Sequence, residues 1–260
     1  MISYIKELIS YRELLIALTK REIKIRYKQT TLGSAWAVLQ PFSLMLIFSL
    51  VFGVFLGLES QGLPYPVFYY SALLTWLFFS TSMSFGSHSV INNSNLVAKV
   101  YFPRETLPLA SLGAAVLDLM VASIIFVLMM AYYNIPLSFN LIYLIPIIFI
   151  LILFTLSVVL FTSALVVIWR DLKFVVPLVV QIWMFASPII YPVNKVPENL
   201  QFFYMLNPMA VVIENFRRVT LFAKEPVFSQ ILTAAVISVI LFFISYYFFK
   251  IKEKSFADII

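Results

Sequence analysis

The sequence has no cysteine and only one histidine, and these two absences remove whole classes of chemistry. Without cysteine there is no disulfide, no thiolate nucleophile and no cysteine-ligated metal. A single histidine cannot build the usual metal sites, and neither a Gly-x-Ser-x-Gly nor a His-Glu-x-x-His pattern occurs. None of the six glycines belongs to a phosphate-binding loop that is followed by lysine. We therefore expect no catalytic site, no metal site and no cofactor in this chain.

Charge is missing from a long internal stretch. No Lys, Arg, Asp or Glu occurs in the 51 residues from Leu119 to Trp169. As one helix this stretch would be about 75 Å long, more than twice the roughly 30 Å of hydrocarbon in a bilayer, so it must cross, turn near Pro136 and cross back. With 62% hydrophobic and 12% charged residues, the chain is predicted to be an all-α polytopic membrane protein. Its net charge of +6 then indicates basic residues at the cytoplasmic face, with no nucleic-acid partner.

Apolar runs separated by turn residues predict six transmembrane spans within a bundle that occupies residues 34–250. The spans are 34–57, 67–90, 106–131, 141–168, 174–190 and 228–249. An even number of spans places both termini on one side, and fourteen of the eighteen Lys and Arg residues lie there. Both termini are therefore expected in the cytoplasm. We treat 1–260 as a single transmembrane domain in the cytoplasmic membrane of a prokaryote.

Three segments outside the spans have recognisable patterns. Residues 1–28 alternate apolar and basic positions at helical spacing, which predicts an amphipathic cytoplasmic interface helix, or else a simple topology anchor. In residues 91–105, Asn and Ser caps precede a short run bounded by prolines, which predicts a helix docked below the membrane. Residues 191–227 are long, apolar and punctuated by prolines, which predicts short re-entrant helices between spans five and six on the outer side.

Several residues inside the spans leave alternatives open. Asp118 is either an ion-coupling acid or an acid satisfied by a neighbouring Ser, Tyr or Arg, and His88 is interpreted as structural. Ser80, Ser84 and Ser87 form one polar stripe, which either faces a hydrated path or bonds another helix. The tyrosines that cluster toward the predicted outer face form either an interfacial belt or a surface on which sugar rings stack.

Taken in order, the motifs resemble the permease subunits of type-2 ABC exporters that move lipid-linked polysaccharide such as O antigen, capsule or teichoic acid. The matching stretches are 21–28 (REIKIRYK), 32–36 (LGSAW), 39–41 (LQP), 95–97 (NLV), 102–105 (FPRE), 107–108 (LP), 170–172 (RDL), 187–192 (SPIIYP) and 207–209 (NPM). Together these stretches extend over essentially the whole chain.

The resemblance implies a homodimer that forms the channel and is surrounded by membrane lipid. Each protomer would have an N-terminal interface helix, six spans and outer gate helices. Two copies of a separate ATPase would bind beneath it and would alone hold ATP and Mg²⁺. The substrate would be a lipid-linked glycan, such as the O antigen that is exported across the cell inner membrane during lipopolysaccharide biosynthesis. By position, the ATPase-coupling residues would be Asn95, Lys99, Arg104, Glu105, Arg26 and Lys28. The gate and substrate path would include Tyr69, Trp76, Tyr191, Phe216 and Arg217.

Two alternatives to polysaccharide export follow from the same residues. A related ABC permease that exports a drug or a simple lipid would share the fold and the ATPase. An ion-coupled secondary transporter would need no ATPase and would depend on Asp118.

Overall fold

The computed structural model describes residues 10–27 and 33–259, and it confirms the prediction of an all-α protein because no strand occurs among these residues. The α-helices are α1 Arg12–Tyr27, α2 Trp36–Phe48, α3 Tyr65–Gly86, α4 Ser94–Lys99, α5 Thr106–Tyr132, α6 Leu144–Ile168, α7 Leu172–Phe185, α8 Glu198–Tyr204, α9 Pro208–Thr220, α10 Phe228–Glu253 and α11 Phe256–Ile259.

Within the described residues, four helical stretches are long and apolar enough to cross a membrane. They are Trp36–Phe55, Thr106–Tyr132, Phe139–Ile168 and Phe228–Glu253. The first consists of α2 and a π-helical continuation, Ser49–Phe55. α7 is apolar but has only 14 residues, and α3 has 22 residues whose tyrosines and hydroxyl side chains lower its mean hydropathy.

α3 lies at the centre of the bundle, where α2, α5, α6, α7 and α9 pack around it. Two of its buried hydroxyls are satisfied within the helix: Ser71 Oγ donates to the Phe68 carbonyl at 2.7 Å and Thr75 Oγ1 to the Ala72 carbonyl at 2.9 Å. Such local bonds let a hydroxyl-rich helix lie in an apolar core. Buried Ser82 Oγ, by contrast, has no hydrogen-bond partner among the described residues. At Gly86, α3 approaches α6 closely, since a Cβ there would lie 2.5 Å from Val159 Cγ1.

The buried apolar residues form two groups. The larger group fills the middle of the bundle and includes most of the inward side chains of α3, α5, α6 and α9. The smaller group, here named the second cluster, joins the connection between α3 and α5 to α1, α6, α10 and α11. Its buried members are Leu18, Val90, Val97, Phe102, Leu107, Ala110, Leu160, Ala164, Val167, Phe249 and Phe256.

Apolar side chains also cover much of the outside of the bundle. Along α2 and its continuation, Ile47, Leu50 and Val54 are each more than half exposed, and α7 and α10 present similar faces. A surface of this kind is compatible with lipid, where apolar side chains need no burial in protein.

Candidate functional site

A short exposed helix stands at one end of the bundle. α4 follows the 3₁₀ turn Ile91–Asn93, and its residue Val97 is buried in the second cluster. By contrast Asn95, Lys99 and, just beyond the helix, Tyr101 are exposed, Tyr101 at 82%. α4 is therefore anchored on one side and exposed on the other, and its role as a coupling helix stays a prediction.

Arg104 and Glu105, also assigned to ATPase coupling, are held by the end of α10. The Arg104 backbone N–H donates to Glu253 Oε1 at 2.9 Å, and its guanidinium donates to the Glu253 carbonyl. Glu105 is 2% exposed, and Lys250 Nζ lies 2.7 Å from its Oε2. Burial raises the pKa of the Glu105 carboxyl, while the Lys250 ammonium opposes that rise. These two residues therefore support the connection from within, in contrast to the exposed Asn95 and Lys99.

Arg26 points into the bundle. Its Nη1 donates to Asp118 Oδ2 at 2.6 Å and its Nη2 to the Ser111 carbonyl at 3.1 Å, while the guanidinium carbon lies 4.1 Å from the Phe85 ring centroid. The α1 residue that contacts the segment before α4 is Arg21, which donates to Asn93 Oδ1. α1 thus lies beside the predicted coupling region through Arg21, and Lys28 lies outside the described residues.

Asp118 is satisfied by α1. Besides the bond from Arg26, its Oδ1 accepts a hydrogen bond from Tyr27 Oη at 2.5 Å. Burial and this hydrogen bond to the carboxylate raise the pKa of Tyr27, so the phenol stays neutral and donates. This is the structural alternative in which neighbouring Tyr and Arg side chains satisfy the acid. His88 Nδ1 similarly lies 2.9 Å from the carbonyl of Ser84.

A cleft of about 540 Å³ opens beside this ion pair, between α1, α2, α3 and α5. Its polar lining comes from Arg26, Gln40, Ser80, Thr81, Ser84 and Asp118, and its aromatic lining includes Trp36, Phe78 and Phe85. Arg26 Nε is buried and has no hydrogen-bond partner among the described residues. Walls that combine hydrogen-bonding groups with aromatic faces suit hydroxylated rings as well as water. Of the predicted serine stripe, two members line this cleft, whereas Ser87 is buried and donates to the Met83 carbonyl.

At the other end of the bundle, α8 and α9 form two short helices between α7 and α10. Asn207 caps α9, because its side-chain oxygen accepts from the Met209 N–H at 3.0 Å, and Pro208 occupies the first helical position. The predicted structured segment is therefore helical in the stretches 198–204 and 208–220.

Arg217 of α9 fastens this region to the centre of the bundle. Its guanidinium donates to the carbonyls of Pro188 at 2.5 Å, Ile189 at 2.8 Å and Phe68 at 3.3 Å, and also to Ser71 Oγ at 3.3 Å. The residue is 1% exposed, and its guanidinium carbon lies 3.7 Å from the Phe68 ring centroid. Three carbonyls and an aromatic face thus hold a fully buried cation between α9, α3 and the turn before α8.

The other residues assigned to the gate and substrate path are mostly in the core. Tyr69 is 1% exposed and stacks on Phe48 with ring centroids 4.9 Å apart, and Trp76 and Phe216 are each 4% exposed. Tyr191 is partly exposed, and its hydroxyl donates to the Phe185 carbonyl at 2.8 Å. Contact with glycan stays a prediction for these residues, and Tyr191 is the most accessible of them.

Comparison with known proteins places this bundle in a family. The model of the family described as ABC-2 type transporter matches residues 13–221, which include α4, the Arg26–Asp118 pair and Arg217. The chain belongs to the ABC-2 type transporter family.

Three relatives of this ABC-2 transporter align with it over most of both sequences. The O-antigen export system permease protein RfbA of Myxococcus xanthus is 30% identical over 99% of both chains. A protein of the same name from Klebsiella pneumoniae is 28% identical over 79% of both. The polysialic acid transport protein KpsM of Escherichia coli is 24% identical over 76% of this chain and 77% of its own.

Several residues that organise this ABC-2 transporter were not singled out by sequence reasoning. Thr81 of the cleft lies between Ser80 and Ser82 and outside the predicted serine stripe, and Gln40 was noted only within the matching stretch 39–41, without a role. Glu253 and Phe256 lie in a short tail that reads as a simple basic C-terminus. The available signal was the acidic Glu253 among Lys250, Lys252 and Lys254, which is consistent with a local ion pair.

Proposed function

We propose that this chain is the membrane-spanning subunit of an ATP-driven exporter of lipid-linked polysaccharide. The observation that carries the proposal is the match over 99% of its length to an O-antigen export permease. The ABC-2 family assignment supports an ATPase on a separate polypeptide, and the absent phosphate-binding loop agrees with it. Catalysis is then expected in the partner, which binds ATP and Mg²⁺.

The proposed topology has six spans. The four long apolar stretches would be joined by α3, which is long enough to cross but hydroxyl-rich, and by the shorter α7. α1 would lie at the cytoplasmic interface of the inner membrane, and both termini would be cytoplasmic because most Lys and Arg residues then lie on that side. α4 would face the cytoplasm, and α8 and α9 would form the outer gate.

The proposed assembly contains two copies of this chain and two ATPase subunits. The apolar side chains exposed on α2 and α7 could then pack against lipid in part and against the second protomer in part. The glycan would pass between the two protomers. The cleft beside Arg26 and Asp118 offers hydrogen-bonding and aromatic groups that suit a sugar on the cytoplasmic half of such a path.

In the proposed cycle, ATP binding closes the ATPase dimer and pushes on the exposed face of α4, where Asn95 and Lys99 lie. The push reaches the spans because Val97 and Phe102 pack in the second cluster with Leu107 of α5. Movement of the helices would open the path, and repeated cycles would advance the polymer outward. This mechanism uses α4 as a rigid contact and requires no chemistry in the chain itself.

The ion-coupled alternative loses support from the geometry of Asp118, because Arg26 and Tyr27 already satisfy its carboxylate. Export of a drug or a simple lipid would use the same helices and the same ATPase. Similarity to polysaccharide exporters favours glycan over these substrates.

Co-purification tests the proposal. The tagged chain is extracted in mild detergent from its native cells, and the proteins recovered with it are identified by mass spectrometry. A stoichiometric ATPase with a Walker A loop is expected. Its reproducible absence from an intact, monodisperse permease would overturn the proposal and make Asp118 the next residue to study.

A further inference from the structure

The C-terminal tail folds back under the bundle. α10 ends at Glu253, and α11 begins at Phe256 after a two-residue turn. The Phe256 side chain is fully buried, and its ring meets that of Phe249 edge-on with centroids 5.4 Å apart. Both rings belong to the second cluster together with Val97 of α4 and Phe102. The end of the chain therefore supplies part of the apolar seat on which α4 rests.

Polar contacts connect the same tail to the segment that follows α4. Glu253 accepts from Arg104 through both its side chain and its main-chain carbonyl. Lys250 Nζ lies 2.7 Å from Glu105 Oε2 and 2.9 Å from Glu253 Oε2, so one ammonium joins two carboxylates. The side chains of Lys250 and Glu253 are 14% and 15% exposed, which shields this network from much of the solvent. Removing one partner from such a largely buried ion pair is costly, because the other charge is left without its counter-ion.

The tail also reaches the second connection on this side. Arg170, in the turn between α6 and α7, donates through Nη2 to the Ile259 carbonyl at 3.4 Å. α11 packs against both α4 and α6. One short segment thereby links two connections that lie far apart in sequence.

α4 buries little surface of its own. It has six residues, and Val97 is its buried side chain. A helix of that length is unstable in isolation because nucleation costs more than one or two hydrogen-bonded turns return. Its position must therefore come from the groups around it, and the tail provides both an apolar contact and the hydrogen bonds to Arg104.

We propose that the side chains of Glu253 and Phe256 in the C-terminal tail form a brace that positions α4, which makes these two residues positioning residues. The brace would keep the exposed face of α4 in place while the partner pushes on it, and would transfer the push to α10 as well as to α5. The transfer of the partner's push rests on the proposed function, whereas the mechanical support of α4 by the tail does not.

Hydrogen–deuterium exchange on the full-length chain in nanodiscs tests the mechanical part without any partner. In Glu253→Ala and in Phe256→Ala, exchange in the peptide covering 94–105 is expected to accelerate at least tenfold, while α3 stays protected. Glu253→Gln should have a smaller effect because its side-chain oxygen can still accept from the Arg104 N–H. Lys254→Ala, which alters a neighbouring exposed residue, is the matched control. Unchanged exchange at 94–105 in a folded variant would overturn the brace, and Phe256→Leu replaces any alanine variant that does not fold.

A second measurement tests positioning in the assembled exporter. The amount of glycan exported per ATP hydrolysed is expected to fall at least fivefold in Glu253→Ala, with the bound ATPase unchanged and partial recovery in Glu253→Gln. A purely structural residue would lower the amount of complex and leave that ratio intact, a result that would overturn the positioning role. Should no ATPase bind to the wild-type chain, the proposed function fails, and the exchange experiment still decides whether the tail supports α4.

Discussion

The guanidinium of Arg26 lies 2.6 Å from the carboxylate of Asp118, so an ion pair joins α1 to the middle of α5 across 92 residues of sequence. The Arg26 side chain is 5% exposed. A charge at that depth is tolerated only when it is paired and hydrogen-bonded. The contact therefore fixes α1 against the bundle and gives Asp118 a structural partner.

Replacing Asp118 tests this pairing. Asp118→Asn removes the negative charge and leaves the Arg26 guanidinium buried without its counter-ion, so we expect a loss of about 2 kcal/mol in the free energy of unfolding. Thermal melting in detergent measures the change. Asp171→Asn, which alters an exposed carboxylate, is the control and should leave the melting temperature unchanged. Unchanged stability together with abolished transport would contradict this account and favour ion coupling.

The contact between α3 and α6 yields a prediction with a built-in rescue. Gly86→Ala places a methyl group 2.5 Å from Val159 Cγ1, so the helices must separate or Val159 must shift. We expect a cost of about 1–3 kcal/mol in stability, as is typical of overpacked cores. Adding Val159→Ala vacates that space and should restore part of the loss. If the double variant is instead less stable than Gly86→Ala, by as much as Val159→Ala alone costs, then the close approach of the two helices does not cause the loss of stability in Gly86→Ala.

Arg217 should not tolerate lysine. A lysine ammonium has three donors and no planar fork, so it cannot reach the carbonyls of Pro188, Ile189 and Phe68 together. We expect Arg217→Lys to cost about 2–4 kcal/mol through the unpaired buried carbonyls. Limited proteolysis should also show faster cleavage at 187–207. Arg218→Lys is the control and should behave as wild type, since among the described residues the Arg218 side chain donates to one carbonyl, that of Glu225.

Lys99 and Arg104 are expected to behave differently although the same coupling role was predicted for both. Lys99 is exposed, so Lys99→Glu should weaken ATPase association at least tenfold and leave the melting temperature unchanged. Arg104→Glu should also lower the melting temperature because it breaks the bonds to Glu253. Binding is measured by titration of the ATPase onto the immobilised permease. Lys224→Glu, an exposed basic residue beyond α9, is the control, and equal weakening by that variant would mean that net charge alone is responsible.

Local signals predicted the fold class and the existence of the short helices. The charge-free stretch from Leu119 to Trp169 required two apolar helices, and the structure has α5 and α6 there. A short helix is found at Ser94–Lys99, as the Asn and Ser residues and the prolines around it predicted, but the predicted cap is wrong because Asn93 at the N-cap position makes no side-chain capping hydrogen bond. The Asn93 side chain accepts from Arg21 and donates to the Ser89 carbonyl instead. The central position of α3 was not predicted, because its tyrosines and serines read as surface or pore groups until the surrounding helices cover them.

Side-chain directions could not be read from the motifs. Arg26 lies in a basic stretch that resembles a coupling element, yet helical phase turns it toward Asp118 while Arg21 faces Asn93. Tyr69 was selected as an aromatic near the outer face, and only the neighbouring α2 shows that Phe48 covers it. Such pairs depend on contacts between segments that are distant in sequence, and composition and local spacing do not predict those contacts.

The most direct test of the central claim is the location of the glycan in native cells that lack this gene. If the chain is the permease of a polysaccharide exporter, lipid-linked glycan should accumulate inside the cell and disappear from the surface. A plasmid carrying the wild-type gene should restore surface glycan, and the Lys99→Glu version should not. Surface glycan at the wild-type level in the deletion strain, with none retained inside, would contradict the account.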